Sequence, residues 1–202
     1  AEGIGLFRTE HMFYGKGSET PLFKLRKMIV SKTEEERRMA LAELFEHVKS
    51  DVKGTLDVME GYPVTIRLLD PPLHEFIPHE EAKLKELAQS LNISMEELEK
   101  RASNLRESNP MMGHRGVRLG VTYPEVTEMQ VRAILESACE LTQAGKKVSP
   151  EIMIPVVCDK NELVDQKKLV EKIYQEVIAK YKVKKIPYMF GTMIEIPRAA
   201  LM

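Results

Sequence analysis

At 202 residues, of which 43% are hydrophobic, the chain can bury a sizeable core as one domain or as most of a larger one. Its 30 Lys and Arg oppose 31 Asp and Glu for a formal net charge of −1, so no global field recruits nucleic acid or anionic membrane, and neither partner is expected. No apolar run reaches the length of a membrane-spanning helix, and Ala1-Glu2-Gly3-Ile4-Gly5 has neither the basic nor the apolar region of a signal peptide, which predicts an intracellular protein of the cytoplasm or an organelle.

Gly3 to Phe7 is short, apolar and glycine-flanked, and the polar cluster Arg8-Thr9-Glu10-His11 follows at once. A strand emptying into a functional loop is predicted. From Thr33, a capping box with Glu36 and the helical spacing of Met39, Ala42, Leu44, Phe45, Val48 and Val52 predict a helix to about Met59, with Gly54 a weak point. Gly61-Tyr62-Pro63 breaks it. Val64 to Leu69 is a β-branched run closed by Asp70-Pro71-Pro72, and reads as a second strand with charge at its end.

From Glu80 to Glu107 charge dominates, and two helical segments, Glu80 to Leu91 and Ser94 to Arg106, form an inserted hairpin whose second arm opens on a Ser94 to Glu97 capping box. Asn109 to Gly116 is turn-rich, with glycines bracketing His114-Arg115, and Val117 to Val121 reads as a short strand. A helix from about Glu125 to Ala144, a strand over Glu151 to Val157, a helix over Asn161 to Tyr181 and a strand over Ile186 to Ile196 complete the order. Helices alternating with continuous apolar strands predict an α/β protein with parallel pairing. Glu195 ends the last strand, where an α/β barrel keeps its chemistry, and Pro197 stops further pairing.

Three arginines stand apart from the surface charge: Arg8 after the first strand, Arg67 inside an apolar strand, and Arg115 in the glycine-bracketed turn. A guanidinium in Val64-Thr65-Ile66-Arg67-Leu68-Leu69 is costly to bury unless it meets an anion, and its planar fork suits carboxylate or phosphate. Arg67 can instead pair with an internal carboxylate such as Asp70, and the residues alone leave the two readings level. For Arg8 or Arg115 taken singly, a plain loop role is the stronger reading. Glu195 suits a metal ligand or general base, against an ion pair with Arg198 that the residues alone favour slightly. His11, His74 and His114 lie in polar loops and serve equally as hydrogen-bonded supports. The 12 methionines read as core filler, and Cys139 and Cys158, which share no metal-ligand spacing, read as reduced thiols. Spacing therefore yields an anion-binding α/β domain and no reaction.

Gly3-Ile4-Gly5-Leu6-Phe7-Arg8-Thr9-Glu10-His11-Met12-Phe13 resembles the arginine-bearing signature of the phosphoenolpyruvate-utilising enzymes, a family built on a (β/α)8 barrel. Arg67 to Phe76, Asn109 to Gly116 and Gly191 to Arg198 resemble the pyruvate, phosphate dikinases of that family. The phosphoenolpyruvate synthases and the sugar phosphotransferase enzyme I differ around Asp70 to Phe76, and the helical hairpin fits the same branch. The resemblance implies that residues 1–202 are an incomplete (β/α)8 TIM barrel, about strands two to six, that binds phosphoenolpyruvate and pyruvate. The insert falls at about 80–107.

It further implies that Arg8 and Arg67 hold the phosphate of phosphoenolpyruvate, that Arg115 is another arginine of the site, and that Glu195 is a ligand of catalytic Mg²⁺ beside the substrate. The implied reaction moves a phosphoryl group between a phosphohistidine on a mobile domain and the pyruvate enolate. It interconverts ATP, phosphate and pyruvate with AMP, diphosphate and phosphoenolpyruvate. Arginines and a magnesium ion suit that charge. No phosphohistidine segment, ATP-binding domain, Asn-Asp metal motif or acid/base cysteine motif occurs in the chain, so catalysis by these residues alone is not expected. The missing parts are expected in a longer chain, and the family implies a homodimer. An open part-barrel would leave sheet edges exposed, which argues the same way. Two alternatives stand beside this reading: a phosphoenolpyruvate synthase, and a non-catalytic anion-binding domain derived from the same barrel.

Overall fold

In the computed structural model, which describes residues 2–14, 17–105, 109, 111 and 113–201, every strand pairs with its neighbours in sequence. The strands β1 (Ile4–Arg8), β2 (Pro63–Arg67), β3 (Ser149–Ile154) and β4 (Met189–Thr192) form one parallel sheet in the order β1-β2-β3-β4. Parallel pairing needs long crossovers, and helices supply them. α1 (Glu19–Ile29) and α2 (Glu34–Val58) join β1 to β2. α3 (Glu81–Ser90), α4 (Met95–Asn104), α5 (Gly116–Thr122) and α6 (Pro124–Gln143) join β2 to β3. α7 (Lys160–Tyr181) joins β3 to β4, and α8 (Pro197–Leu201) follows.

α6 packs between α2 and α7, and the three helices form one layer over the sheet. Val48, Val52 and Leu56 of α2, Val131, Ile134, Leu135 and Ala138 of α6, and Val170, Ile173 and Val177 of α7 are buried with Val64, Ile66, Ile152 and Ile154 of the strands. Each such Val, Leu or Ile stabilises the fold by roughly 1.5–3 kcal/mol.

Strand partners in register project to one side of a sheet, and successive residues alternate. The register pairs Arg8 with Arg67, Thr65 with Glu151, and Arg67 with Met153. Val64, Ile66, Ile152 and Ile154 therefore face the helix layer, and Arg8, Thr65, Arg67, Glu151 and Met153 share the opposite face. On that face Thr65 Oγ1 donates to Glu151 Oε2 at 2.5 Å.

The helix caps explain where α2, α4 and α7 begin. Thr33 Oγ1 accepts from the Glu36 N–H at 3.2 Å, but the Glu36 carboxylate turns to the Lys32 N–H at 2.6 Å, so the expected capping box is half formed. α2 runs unbroken through Gly54, because burial of its apolar stripe outweighs the propensity cost of one glycine. Ser94 Oγ accepts from the Glu97 N–H at 3.1 Å, while the Glu97 carboxylate accepts from Arg101 Nε at 2.9 Å. At α7, Asp159 and Glu162 form the complete reciprocal box.

Three expectations are corrected. Val117 to Val121 is not a strand but most of α5, whose buried Gly116, Val117, Leu119 and Gly120 follow helical spacing. An apolar run of that length fits either period, and packing decides: a Cβ on Gly120 would lie 2.6 Å from Thr127 Oγ1 and 2.7 Å from Gln166 Oε1. The last strand is Met189–Thr192, shorter than Ile186 to Ile196, and its carboxyl end is set where its partner β3 ends at Ile154. The Ile154 carbonyl takes the last contacts, from the Met193 N–H at 3.2 Å and Thr192 Oγ1 at 2.7 Å. Beyond it Pro155 has no N–H to offer, and Val156 turns to φ +64°. Finally, α1 forms where no element was predicted. Pro21 sits in its first turn, where a missing N–H costs nothing, and Leu25, Met28 and Ile29 are buried.

The charged insert forms the hairpin α3–α4, with Leu87, Ala88 and Leu98 buried. Arg106 and Glu107 of the predicted insert, and Pro110 and Met112 of the turn-rich block, lie outside the described residues. Cys139 and Cys158 are free thiols. Among the described residues no helix is long and apolar enough to cross a membrane.

Candidate functional site

The carboxyl ends of β1 and β2 lie side by side, and each ends on an arginine. Arg8 is exposed and makes no ion pair with any described residue. Arg67 is only 8% exposed, so its charge must be met inside the protein. Its Nη1 lies 2.9 Å from Oδ2 of Asp70, and its Nη2 donates to Oε1 of Glu10. Asp70 and Glu10 are themselves buried, at 3% and 5% exposure.

Arg115 reaches the same carboxylate from a different part of the chain. Its Nη2 donates to Asp70 Oδ2 at 2.8 Å, and its Nε donates to Asp70 Oδ1 at 3.2 Å and to the Asp70 carbonyl at 3.1 Å. Local backbone fixes this approach. Gly116 adopts φ +54°, and a Cβ there would lie 2.6 Å from Cγ2 of Val156. The Val117 N–H donates to the Pro155 carbonyl at 3.0 Å, and Arg118 Nη1 donates to the Gly113 carbonyl at 2.9 Å. The turn carrying Arg115 is thereby fastened to the end of β3.

Gln130 of α6 fastens the other two ends. Its Oε1 accepts from the Leu69 N–H at 2.8 Å and from Thr9 Oγ1 at 3.3 Å, and its Nε2 donates to the Val126 carbonyl at 3.0 Å. One buried amide thus ties the segment after β1 and the segment after β2 to the same helix.

The embedded group is charge-balanced, Arg67 and Arg115 against Glu10 and Asp70, and Arg8 beside it is a surplus positive charge. Balance does not satisfy every atom. Arg67 Nε and Glu10 Oε2 are buried with no hydrogen-bond partner among the described residues, an uncommon state for buried polar atoms. The arrangement can hold an anion at Arg8 and at the Arg115 Nη1 that Asp70 leaves uncommitted.

Glu195 is exposed, three residues past β4, and its Oε1 accepts from the Val156 N–H at 2.7 Å. The ion pair with Arg198 weighed from the sequence is not formed, since Arg198 Nη2 lies 3.5 Å from Asp159 Oδ2 instead. Oε2 of Glu195 makes no hydrogen bond among the described residues. One oriented carboxylate of this kind fits a Mg²⁺ ion, which takes one or two carboxylates and completes its shell with waters and phosphate. Among the described residues no group of three or more His, Cys, Asp or Glu could hold a metal, so the fit is that of a single ligand.

The cysteines are poor nucleophiles. Burial, with the Glu136 and Glu140 carboxylates, pushes the Cys139 thiol up to about 11, and burial with Glu162 raises that of Cys158.

The structure brings Arg8, Arg67 and Arg115 to one edge and places Glu195 at the end of the neighbouring strands. Of the two readings of Arg67 weighed from the sequence, the internal pair with Asp70 is formed. Glu10 is the residue that sequence reasoning left without a role. Its signal was available, since a carboxylate two residues beyond an apolar strand needs a cation if the loop folds back. Gln130 carries no such signal.

The whole of residues 1–202 matches the family model described as PEP-utilising enzyme, PEP-binding domain. The chain is 49% identical over 202 residues to pyruvate, phosphate dikinase of Clostridium symbiosum, covering 100% of the chain and 23% of that protein. It is 48% identical over 203 residues to the chloroplastic pyruvate, phosphate dikinase of Flaveria trinervia, covering 21% of that protein. Against the pyruvate, phosphate dikinase of Giardia intestinalis the identity is 47% over 202 residues, with 22% of that protein covered. The chain thus spans about a fifth of the length of these relatives.

Proposed function

The chain belongs to the PEP-binding domain family of the PEP-utilising enzymes, PEP being phosphoenolpyruvate, and from that premise we propose that it is the PEP- and pyruvate-binding part of a pyruvate, phosphate dikinase. The observation that carries the proposal is the convergence of Arg8, Arg67 and Arg115 on one sheet edge through register pairing and a shared Asp70. In this reading Arg8 and Arg67 hold the phosphate, Arg115 neutralises charge on the same substrate, and the unspent Arg67 Nε is a donor that an anion would satisfy.

Glu195 would hold Mg²⁺, its carboxylate kept in place by the Val156 N–H on Oε1. When bound, the metal neutralises charge on the transferring phosphoryl group and on the enolate. The arginines orient the substrate, and their guanidinium groups move no proton, because they stay charged throughout. The four parallel strands with helices on one face are read as a sector of a (β/α)8 barrel carrying the helical insert. The phosphohistidine and ATP-binding domains, and a barrel-mediated homodimer, are proposed for the longer protein, in an intracellular setting. The dikinase names of the relatives favour this reading over a phosphoenolpyruvate synthase or a non-catalytic anion-binding domain.

The test uses the natural full-length protein. Arg8→Ala and Arg67→Ala should each lower phosphoryl exchange between PEP and enzyme by a factor of about 10²–10³ and leave the ATP-side partial reactions intact. Wild-type exchange in both variants would sink the assignment. Dependence of the overall reaction on inorganic phosphate distinguishes the dikinase from the synthase.

A further inference from the structure

Asp70 does more than cancel charge. One oxygen, Oδ2, lies 2.9 Å from Arg67 Nη1 and 2.8 Å from Arg115 Nη2, so a single atom sets the separation of two guanidiniums carried by different segments. Oδ1 and the Asp70 carbonyl both take Arg115 Nε, which fixes the plane of that guanidinium as well as its distance. The carboxylate is held on a stiff support. Its backbone is followed by Pro71 and Pro72, whose rings fix φ, and the Leu69 N–H before it is bonded to Gln130 at 2.8 Å.

We infer that Asp70 is a positioning residue of the anion site, acting through Arg67 and Arg115 to hold both at the separation the substrate requires. The inference rests on the reading of this edge as the PEP site. Two arginines are bound to one carboxylate, and Glu10 meets Arg67 from its other amino group, which leaves Arg115 Nη1 and the Arg67 Nε as the groups directed elsewhere. Asn at this position keeps the volume and one acceptor but presents an amide N–H to a guanidinium N–H, so the two arginines part. Displacement of a substrate clamp by about 1 Å costs on the order of a hundredfold in rate.

In the natural full-length protein, the Michaelis constant for PEP, phosphoryl exchange and thermal unfolding are to be measured for wild type, Asp70→Asn, Arg115→Lys and the double variant. Asp70→Asn is expected to raise the Michaelis constant about ten- to a hundredfold. The double variant should lose at most about twofold beyond the worse single, because both changes act through the same contact. Wild-type PEP affinity in Asp70→Asn, or losses that multiply in the double variant, would overturn the inference. Should Asp70→Asn fail to fold, Asp70→Glu decides, since it keeps the charge and displaces the oxygens by one methylene. Weakened PEP binding in it supports the inference and wild-type binding overturns it. Wild-type PEP affinity in both Arg67→Ala and Arg115→Ala would instead overturn the site reading, and the inference with it.

Discussion

The backbone N–H of Val156 donates to Oε1 of Glu195 at 2.7 Å, and Val156 does so from φ +64°, a conformation that β-branched residues seldom adopt. Holding it there costs on the order of 1–3 kcal/mol. Burial of the Val156 side chain and the bond from the Val117 N–H to Pro155 offset that cost.

Glu195→Gln separates the two duties of this side chain. The amide oxygen still accepts from Val156, so stability should stay within about 0.5 kcal/mol of wild type. The anionic ligand is lost, so PEP-side phosphoryl exchange in the full-length protein should fall by about a hundredfold or more. Urea unfolding and exchange kinetics on the same preparation check both arms, and retained exchange would remove Glu195 from the metal site.

Gly116→Ala should be among the most damaging single-methyl changes in the protein. The added Cβ would lie 2.6 Å from Val156 Cγ2 and 2.9 Å from the Pro155 carbonyl, at φ +54°. Overpacking and the left-handed backbone together predict a loss of about 2–4 kcal/mol. Gly54→Ala in α2 is the control, because nothing lies within 4 Å of its Cβ, and a gain of up to about 1 kcal/mol is expected there. Equal denaturation midpoints for the two variants would contradict the packing described around Gly116.

Acid should weaken the helix layer through one cluster. Lys49 Nζ lies 2.6 Å from Glu140 Oε1 and 3.3 Å from Glu136 Oε2, Lys53 Nζ lies 2.6 Å from Glu140 Oε2, and Lys180 Nζ lies 2.7 Å from Glu136 Oε1. Burial opposes ionisation of Glu140, but hydrogen bonds from Lys49, Lys53 and Tyr181 outweigh it and bring the carboxyl from 4.5 down to about 2. Glu136 is lowered in the same manner. A carboxyl whose pKa is depressed by folding binds fewer protons folded than unfolded. Its stabilisation is complete above pH 4.5 and is lost as pH falls toward about 2. Glu140→Gln should flatten this acid limb by about 1–2 kcal/mol, after allowance for partial exposure. Urea unfolding from pH 6 down to pH 2.5 reads it, and an unchanged limb would show that the cluster is not the acid-sensitive element.

Alternating apolar strands and amphipathic helices made the parallel α/β order legible, because each β-branched run and each helical stripe signals locally. Val117–Val121 was not legible. Its apolar residues satisfy both periods, and only the close approach of Gly120 to α6 and α7 decides between them. The end of β4 was hidden for a related reason, since it is set by where β3 stops. At the site, the lone guanidinium in an apolar run marked Arg67, whereas the bridge from Asp70 to Arg115 depends on a turn held to Pro155 by tertiary contacts. Glu10 needed the backbone to fold back before its charge had a partner.

The order β1-β2-β3-β4 bears on how the molecule is made. β2, β3 and β4 each dock on the strand that precedes them, so synthesis from the amino-terminal side delivers each of the three to an edge that already exists. Domains fold as units during synthesis, from the amino-terminal side first, and waiting edges are where nascent chains aggregate. Arg8 and Arg67 can be brought side by side, with Arg67 already on Asp70, before Arg115 has left the ribosome, so the second guanidinium on that carboxylate is the last to arrive.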